Sequence, residues 1–164
     1  MSANKFLPHL FVLPEDDANR QIANGFFLAL TTGTSQRQFY VLEEAGGWNE
    51  VLERFCSIYA AEMDRIPARF MVLIIDFDNH LDRLEQVRNR IPEHLRERVF
   101  LLGALDEPES LREDLGSYET ICPAIARDCR EGTDSVWSHG QLRHNAPEVA
   151  RLRDQIRTFL FPVD

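Results

Sequence analysis

The sequence predicts an α/β fold: a mostly parallel four-stranded sheet with helices on both faces, plus a C-terminal helical extension. Three observations lead there. Short apolar runs alternate with segments whose apolar residues recur at three and four, the period of a helix. The run Phe70-Met71-Val72-Leu73-Ile74-Ile75 is apolar throughout, as expected of a parallel strand buried on both faces. Proline and glycine punctuate the chain between these segments. With 164 residues, 44% hydrophobic and 27% charged, the chain suits one folded domain and argues against disorder.

The first strand is expected at His9 to Leu13, ended by Pro14 and the acids Glu15, Asp16 and Asp17. A helix follows through Asn19, Ile22, Ala23, Phe26, Phe27 and Leu30, with acids in its first turn where the helix dipole favours them. Residues 31 to 36 read as a loop, and Gln38 to Leu42 as a second strand. Gly46-Gly47 makes a tight connection to a helix over Trp48 to Met63, with Val51, Leu52, Phe55, Ile58 and Tyr59 on one face. Cys56 is read with that apolar face, buried and inert. Pro67 precedes the third strand, Phe70 to Ile75. A helix from Leu81 to Arg90 carries Leu81, Leu84 and Val87 at helical spacing.

Pro92 starts a short turn before the fourth strand, Val99 to Leu102, closed by Gly103. Pro108 opens a helix with Leu111 and Leu115, stopped by Gly116. The rest reads as helical: Tyr118 to Arg130, a loop at Gly132, and Ala146 to Phe159. The spans divide into an α/β core, residues 8–116, and an extension, residues 117–164, within a single domain 1–164. Crossovers between parallel strands are expected to be right-handed.

Several function classes are excluded or weakened. No apolar stretch approaches the roughly 20 residues that span a bilayer, and Met1 to Pro8 lacks the pattern of a signal peptide. Three widely spaced cysteines, with no Cys-x-x-Cys, suit a reducing cytoplasm rather than a disulfide framework or zinc knuckle. There is no Gly-x-Ser-x-Gly elbow, no phosphate-binding Gly-x-x-x-x-Gly-Lys-Ser/Thr loop and no Gly-x-Gly-x-x-Gly. A receiver-like module would need a lysine near a later strand, and the only lysine is Lys5. The net charge is −9, of which residues 117–164 contribute −1 through six Arg and seven acids, so the first 116 residues carry −8. Any cationic surface is expected from the C-terminal part.

The chemistry concentrates at strand ends. Asp76 and Asp78 follow the third strand at a spacing of two, which along an extended backbone sets both carboxylates on one side. Open α/β sheets place their ligands at that end. Two carboxylates held together repel, and a hard cation such as Mg²⁺ relieves the repulsion. Glu15, Asp16 and Asp17 follow the first strand and Gly46-Gly47 the second, so parallel neighbours bring the three groups together. An aspartate at such a strand end also serves as a helix cap, and Asp78 or Asn79 could cap the helix near Leu81. Glu107 and Glu109 follow the fourth strand; either they join a metal shell or they favour the first turn of a helix capped by Asp106. The segment Trp137 to Asn145 reads either as a phosphate- or base-contacting surface or as a packed corner. His139 and His144, with no cysteine nearby, do not suggest zinc.

With acid, glycine turn and Asp-x-Asp after successive strands, the chain resembles the Toprim family, the catalytic domain of topoisomerases, primases and nucleases of the overcoming-lysogenization-defect type. The family pattern corresponds here to Glu15, to Ala45-Gly46-Gly47-Trp48-Asn49 and to Asp76-Phe77-Asp78, over roughly residues 8–116. The resemblance implies a Mg²⁺- or Mn²⁺-dependent phosphodiester-cleaving nuclease acting on DNA or RNA. It assigns acid–base work to Glu15 and metal binding to Asp76 and Asp78. The family acid is usually followed by glycine, which this chain lacks, so Asp16 stands as an alternative counterpart and metal ligand. Asn79 and His80 occupy the place of a further family Asp or Asn. Arg143 and His144 are candidates for holding the substrate backbone. Relatives frequently work with an ATPase, so the resemblance also implies a separate ATPase partner, in a setting such as phage defence. The alternative expectation is a non-catalytic Toprim-like module that binds a partner protein.

Overall fold

A computed structural model describes residues 3–30 and 36–163. Its centre is a four-stranded, all-parallel sheet in the order β2-β1-β3-β4. The strands are β1 (His9–Pro14), β2 (Phe39–Val41), β3 (Arg69–Ile74) and β4 (Val99–Leu102). Register is set by the apolar alternation: Leu10 pairs with Phe39 and Phe70, Val12 with Val41 and Val72, and Leu73 with Leu101. The residues of one parity point to one face and those of the other parity to the opposite face.

Each face carries its own apolar core. Leu10, Val12, Val72, Phe100 and Leu102 meet helices α1 (Asp17–Leu28), α5 (Pro108–Leu115), α6 (Tyr118–Glu131) and α7 (Ala146–Leu160). Leu13, Met71, Leu73, Val99 and Leu101 meet α2 (Trp48–Arg54), α3 (Ala60–Arg65) and α4 (Arg83–Arg90) on the other. The expected α/β architecture with helices on both faces is therefore present. The C-terminal helices α6 and α7 are part of the first core and pack directly with α1 and β4. Among the described residues, no helix is long and apolar enough to cross a membrane.

Most element bounds fall within one or two residues of the sequence expectation, and β4 and α5 coincide with it. The loop expected at residues 31–36 lies mostly outside the described residues. Three expectations are corrected. The helix expected from Trp48 to Met63 contains a π turn at Phe55–Tyr59. One added residue per turn shifts the buried stripe. Phe55 is therefore followed in the core by Ala60 and Met63, while Ile58 is 47% exposed. The same shift puts Cys56 at the surface, unlike Cys122 and Cys129, whose burial raises their thiol pKa values to about 11. In the native chain a thiol reagent is expected to label one cysteine promptly and two only on unfolding. Mass spectrometry of the labelled peptide checks this, and a first label on Cys122 or Cys129 would contradict it.

The second correction concerns α4, which begins at Arg83 rather than Leu81. The backbone is in the left-handed region at Asp78 (φ 47°) and Asn79 (φ 60°), which turns the chain before the helix can start, and Leu81 is exposed. The helix N-cap is Asp82, without a side-chain capping bond, so neither Asp78 nor Asn79 caps it. The third concerns α5, whose N-cap is Glu107 rather than Asp106 and which likewise lacks a side-chain capping bond.

The outer edge of β4 is sealed by side chains instead of a fifth strand. Glu148 Oε2 accepts from Leu101 N–H at 2.9 Å. Asn145 Oδ1 accepts from Gly103 N–H at 3.1 Å, and its Nδ2 donates to Gly103 carbonyl at 2.9 Å. Two residues at the start of α7 thus reproduce the hydrogen bonds of a neighbouring strand, which blunts an edge that would otherwise invite pairing. Gly103 is required by close approach: a Cβ there would run into the Ile75 carbonyl oxygen.

Candidate functional site

β1 sends its chain to β2 on one side, while β3 lies on its other side, so the C-terminal ends of β1 and β3 form the switch point of the sheet. That is the place where open α/β sheets bind ligands. Glu15 continues the ladder, its N–H donating to Ile74 carbonyl at 2.8 Å. Its Oε2 then accepts from Asp76 N–H at 2.7 Å and joins the two strand ends. Asp16 is the N-cap of α1, and its Oδ1 accepts from Asn19 N–H at 2.9 Å. Asp17 turns outward to Arg20 and Gln21. The glycine turn sits beside this group: Gly46 N–H donates to Glu15 carbonyl at 2.8 Å, and Gly46 takes φ 102°, a conformation costly for residues with a Cβ.

Asp76 is only 9% exposed. Its Oδ1 accepts from Asn19 Nδ2 at 3.1 Å, and its carbonyl accepts from Arg83 Nη1 at 2.6 Å. The expectation that Asp76 and Asp78 share one side of an extended strand is corrected. Pairing in β3 ends at Ile74, and the left-handed turn at Asp78 breaks the alternation. Asp78 is exposed instead, and its Oδ2 accepts from the same Arg83 Nη1 at 2.8 Å. Arg83 is itself buried, with its guanidinium 4.7 Å from the centre of the Trp48 ring.

Electrostatically the acids act as a group. Burial pushes the Asp76 carboxyl up to about 7; the Asn19 hydrogen bond opposes this, while the charges of Asp16, Glu15 and Asp78 add to it. Glu15 is also raised, by burial first, against the Asp76 N–H, and further by Asp16 and Asp78. The four acidic candidates Glu15, Asp16, Asp76 and Asp78 are therefore close enough to feel one another.

The remaining candidates lie around this group. Glu109 lines a shallow depression with Asp16, Asp17, Gln21, Arg112 and Tyr118, so the end of β4 contributes to the same rim. His144 packs its ring edge against Phe77, centroids 4.8 Å apart, and burial lowers its pKa. Arg143 is exposed on the short turn Arg143–Asn145. His139 pairs with Asp114 and, through its Nδ1, accepts from Gln141 N–H, a packed-corner role. Asn79 and His80 are exposed; their backbone N–H groups hold the turn by donating to Leu105 and Phe77 carbonyls.

Two residues that hold the acidic group escaped the sequence reading. Asn19 stands on the apolar stripe of α1, and a polar residue at a core-facing position was the available signal. Arg83 shares the buried side of α4 with Val87, and a buried arginine four residues from an apolar core position points to a fixed acidic partner.

No family model, curated protein or solved structure matches this chain. The function therefore rests on the site itself.

The site bears on a cation in two ways. Carboxylate oxygens are the donors that Mg²⁺ and Mn²⁺ prefer, and a cation would offset both the burial that chiefly raises the Glu15 and Asp76 carboxyls and the neighbouring acids that add to it. Among the described residues, however, no three His, Cys, Asp or Glu side chains stand at ligating spacing. The donor chemistry fits a hard divalent ion, and one of the four carboxylates, Asp78, is paired with Arg83.

Proposed function

We propose that this protein is a Mg²⁺- or Mn²⁺-dependent, Toprim-like nuclease that cleaves phosphodiester bonds in DNA or RNA. One arrangement carries the reading: Glu15, Asp16 and Asp76 lie at the switch point of a parallel sheet with Asp78 on its rim, and burial pushes the Asp76 carboxyl up to about 7. Asp76, Asp78 and Asp16 would hold the cation, which supplies charge neutralisation and alignment to a scissile phosphate. Glu15 would serve as the acid–base group. Its Oε2 is anchored by Asp76 N–H, which orients the carboxyl, and Oε1 remains to exchange a proton with water or a leaving oxygen. The raised pKa of Glu15 brings it closer to the working pH of such a group. Arg143, exposed on its turn, would meet the nucleic acid backbone, whereas both ring nitrogens of His144 are buried beside Phe77. The sequence has no Gly-x-x-x-x-Gly-Lys-Ser/Thr loop, and a separate ATPase is the partner that the resemblance implies.

The test is thermal unfolding with and without millimolar Mg²⁺ or Mn²⁺, followed by nuclease assays. A site filled to about a hundred times its dissociation constant stabilises by about 3 kcal/mol, a rise in Tm of several degrees for a chain of this size. The rise is expected in the wild-type protein and absent in Asp76→Ala/Asp78→Ala. Absence of any shift in the wild type would sink the proposal.

The ion pair between Arg83 and Asp78 favours a second reading, a non-catalytic module that binds a partner protein. There the arginine substitutes for the cation, and the acidic surface of the first 116 residues faces a basic partner. No metal response, with Arg83→Ala lowering stability, is the outcome that selects it.

A further inference from the structure

The end of the sheet opposite the acidic group holds a second buried polar network. His9 and Arg69, the first residues of β1 and β3, are paired in register and are 1% and 6% exposed. Both nitrogens of the His9 ring are engaged. Nδ1 lies 2.8 Å from the Leu7 carbonyl, which can only accept, so Nδ1 carries the proton. Nε2 accepts from Arg69 Nε–H at 3.1 Å and is therefore bare. Arginine offers donors only and keeps its charge, so the tautomer is fixed from both sides. Arg69 extends the network: its Nη1 donates to Glu62 on α3, and its guanidinium lies 3.9 Å from the centre of the Phe11 ring. The other rings around His9 are Tyr40 of β2, edge-on at 6.4 Å, and Phe11 of β1 at 5.5 Å. Arg98, just before β4, donates to the Arg69 carbonyl, and Tyr59 of the π turn feels the charges of Glu62 and Arg69. Lys5, in the segment ahead of β1, lies over Phe6. Among the described residues, no carboxylate bonds to His9. A second proton on its ring would point an N–H at a buried arginine, with no acid to receive it.

We propose that His9 is a proton-sensitive clasp: a neutral ring joins the segment ahead of β1 to β3 and, through Arg69, to α3, and a protonated ring releases them. Burial lowers the His9 pKa, the Leu7 carbonyl opposes this, and the Arg69 charge adds to it. The released ring binds its proton near the ordinary value of 6.5, more readily than the clasped one. The clasp is therefore fully closed above 6.5. Below that value it loses ground by up to about tenfold per pH unit, until the clasped ring also takes a proton. Gln38 Nε2 donates to the Pro8 carbonyl at 2.8 Å and ties the same segment to β2 without a titratable group, so the release is local. The clasp stands at the other end of the strands from Glu15 and Asp76 and does not depend on metal binding or nuclease activity.

The experiment is hydrogen exchange of the full chain at pH 7 and pH 5, with the histidine ring resonances followed over the same range. The His9 amide, which donates to the Ala68 carbonyl at 3.1 Å, reports the clasp. The Leu101 amide, held by Glu148 on β4, is the internal reference. Between the two pH values the His9 amide is expected to lose protection about fivefold or more relative to Leu101. His9→Gln keeps an oxygen that can accept from Arg69 Nε–H but does not titrate, and it should erase that loss. The ring of His9 itself is expected to titrate below 6.5. An equal change at both amides, or a loss that persists in His9→Gln, overturns the proposal. So does a ring midpoint at or above 6.5 in the wild type, a measurement that needs no variant to fold.

Discussion

Asp76→Asn is expected to stabilise the metal-free protein at pH 8 by about 4 kcal/mol and to leave it nearly unchanged at pH 4. The sign follows from the direction in which the pKa moves. Asp76 titrates at about 7 in the fold against 3.8 as its ordinary value. Between those values the folded chain keeps a proton that the unfolded chain has released. Stability therefore falls as pH rises through the window from 3.8 to 7 and is flat above it. A tenfold gain in proton affinity corresponds to roughly 1.4 kcal/mol, and a gain of about a thousandfold gives the size quoted. Asparagine keeps an oxygen to accept from Asn19 Nδ2 but removes the charge that burial and three neighbouring acids disfavour. Urea unfolding at pH 4, 6 and 8 in chelator measures the effect. Parallel wild-type and mutant profiles across pH would mean that Asp76 is ionised without penalty. Saturating Mg²⁺ narrows the difference under the nuclease reading, because the cation stabilises the ionised wild type and has less to gain from the amide.

The same residue shows what was legible in the sequence and what was not. The run from Phe70 to Ile75 announced a buried parallel strand, and the acids after it were correctly placed at its C-terminal end. Alternation along a strand, however, says where side chains point only while the backbone stays extended. Asp78 and Asn79 enter the left-handed region just past that limit, so the second aspartate turns outward and finds Arg83. Nothing in the local pattern signals that turn, since Asp and Asn adopt it at small cost and look the same in sequence whether or not they do. Helix phase failed for a related reason. A π turn inserts one residue without altering composition, and it moved Ile58 and Cys56 out of the core while Ala60 and Met63 moved in. By contrast β4 and α5 were read to the residue, because Gly103, Pro108 and Gly116 act through backbone constraints that are local. The neighbourhood of Glu15 and the glycine turn was also legible, since adjacency of parallel strand ends follows from topology alone. The partnership of Asn19 with Asp76, 57 positions apart, was not, because it depends on side-chain orientation across two elements.

Glu148→Ala is expected to destabilise the protein by about 3 kcal/mol, with Glu148→Gln costing less than half of that. Glu148 is 3% exposed and serves three donors: Arg88 and Arg151 at Oε1, and Leu101 N–H at Oε2. Truncation removes two charge-assisted bonds and leaves a buried backbone N–H on β4 unsatisfied. The two arginines are partly exposed and regain water. The larger part of the loss therefore falls on Leu101, since an orphaned buried donor costs about 1–3 kcal/mol, while the ion pairs to partly exposed arginines add about 0–1 kcal/mol each. Glutamine retains an oxygen for Leu101 N–H and forfeits the charge together with the acceptor that both arginines use, so the ratio of the two effects separates edge sealing from ion pairing. Denaturant unfolding of both variants gives that ratio. Hydrogen exchange supplies a second readout: the Leu101 amide should lose protection in Glu148→Ala and keep it in Glu148→Gln. Equal losses from the two substitutions would assign Glu148 to its arginines and leave the edge of β4 protected by Asn145 alone. The C-terminal helix would then close the sheet by packing rather than by substituting for a strand.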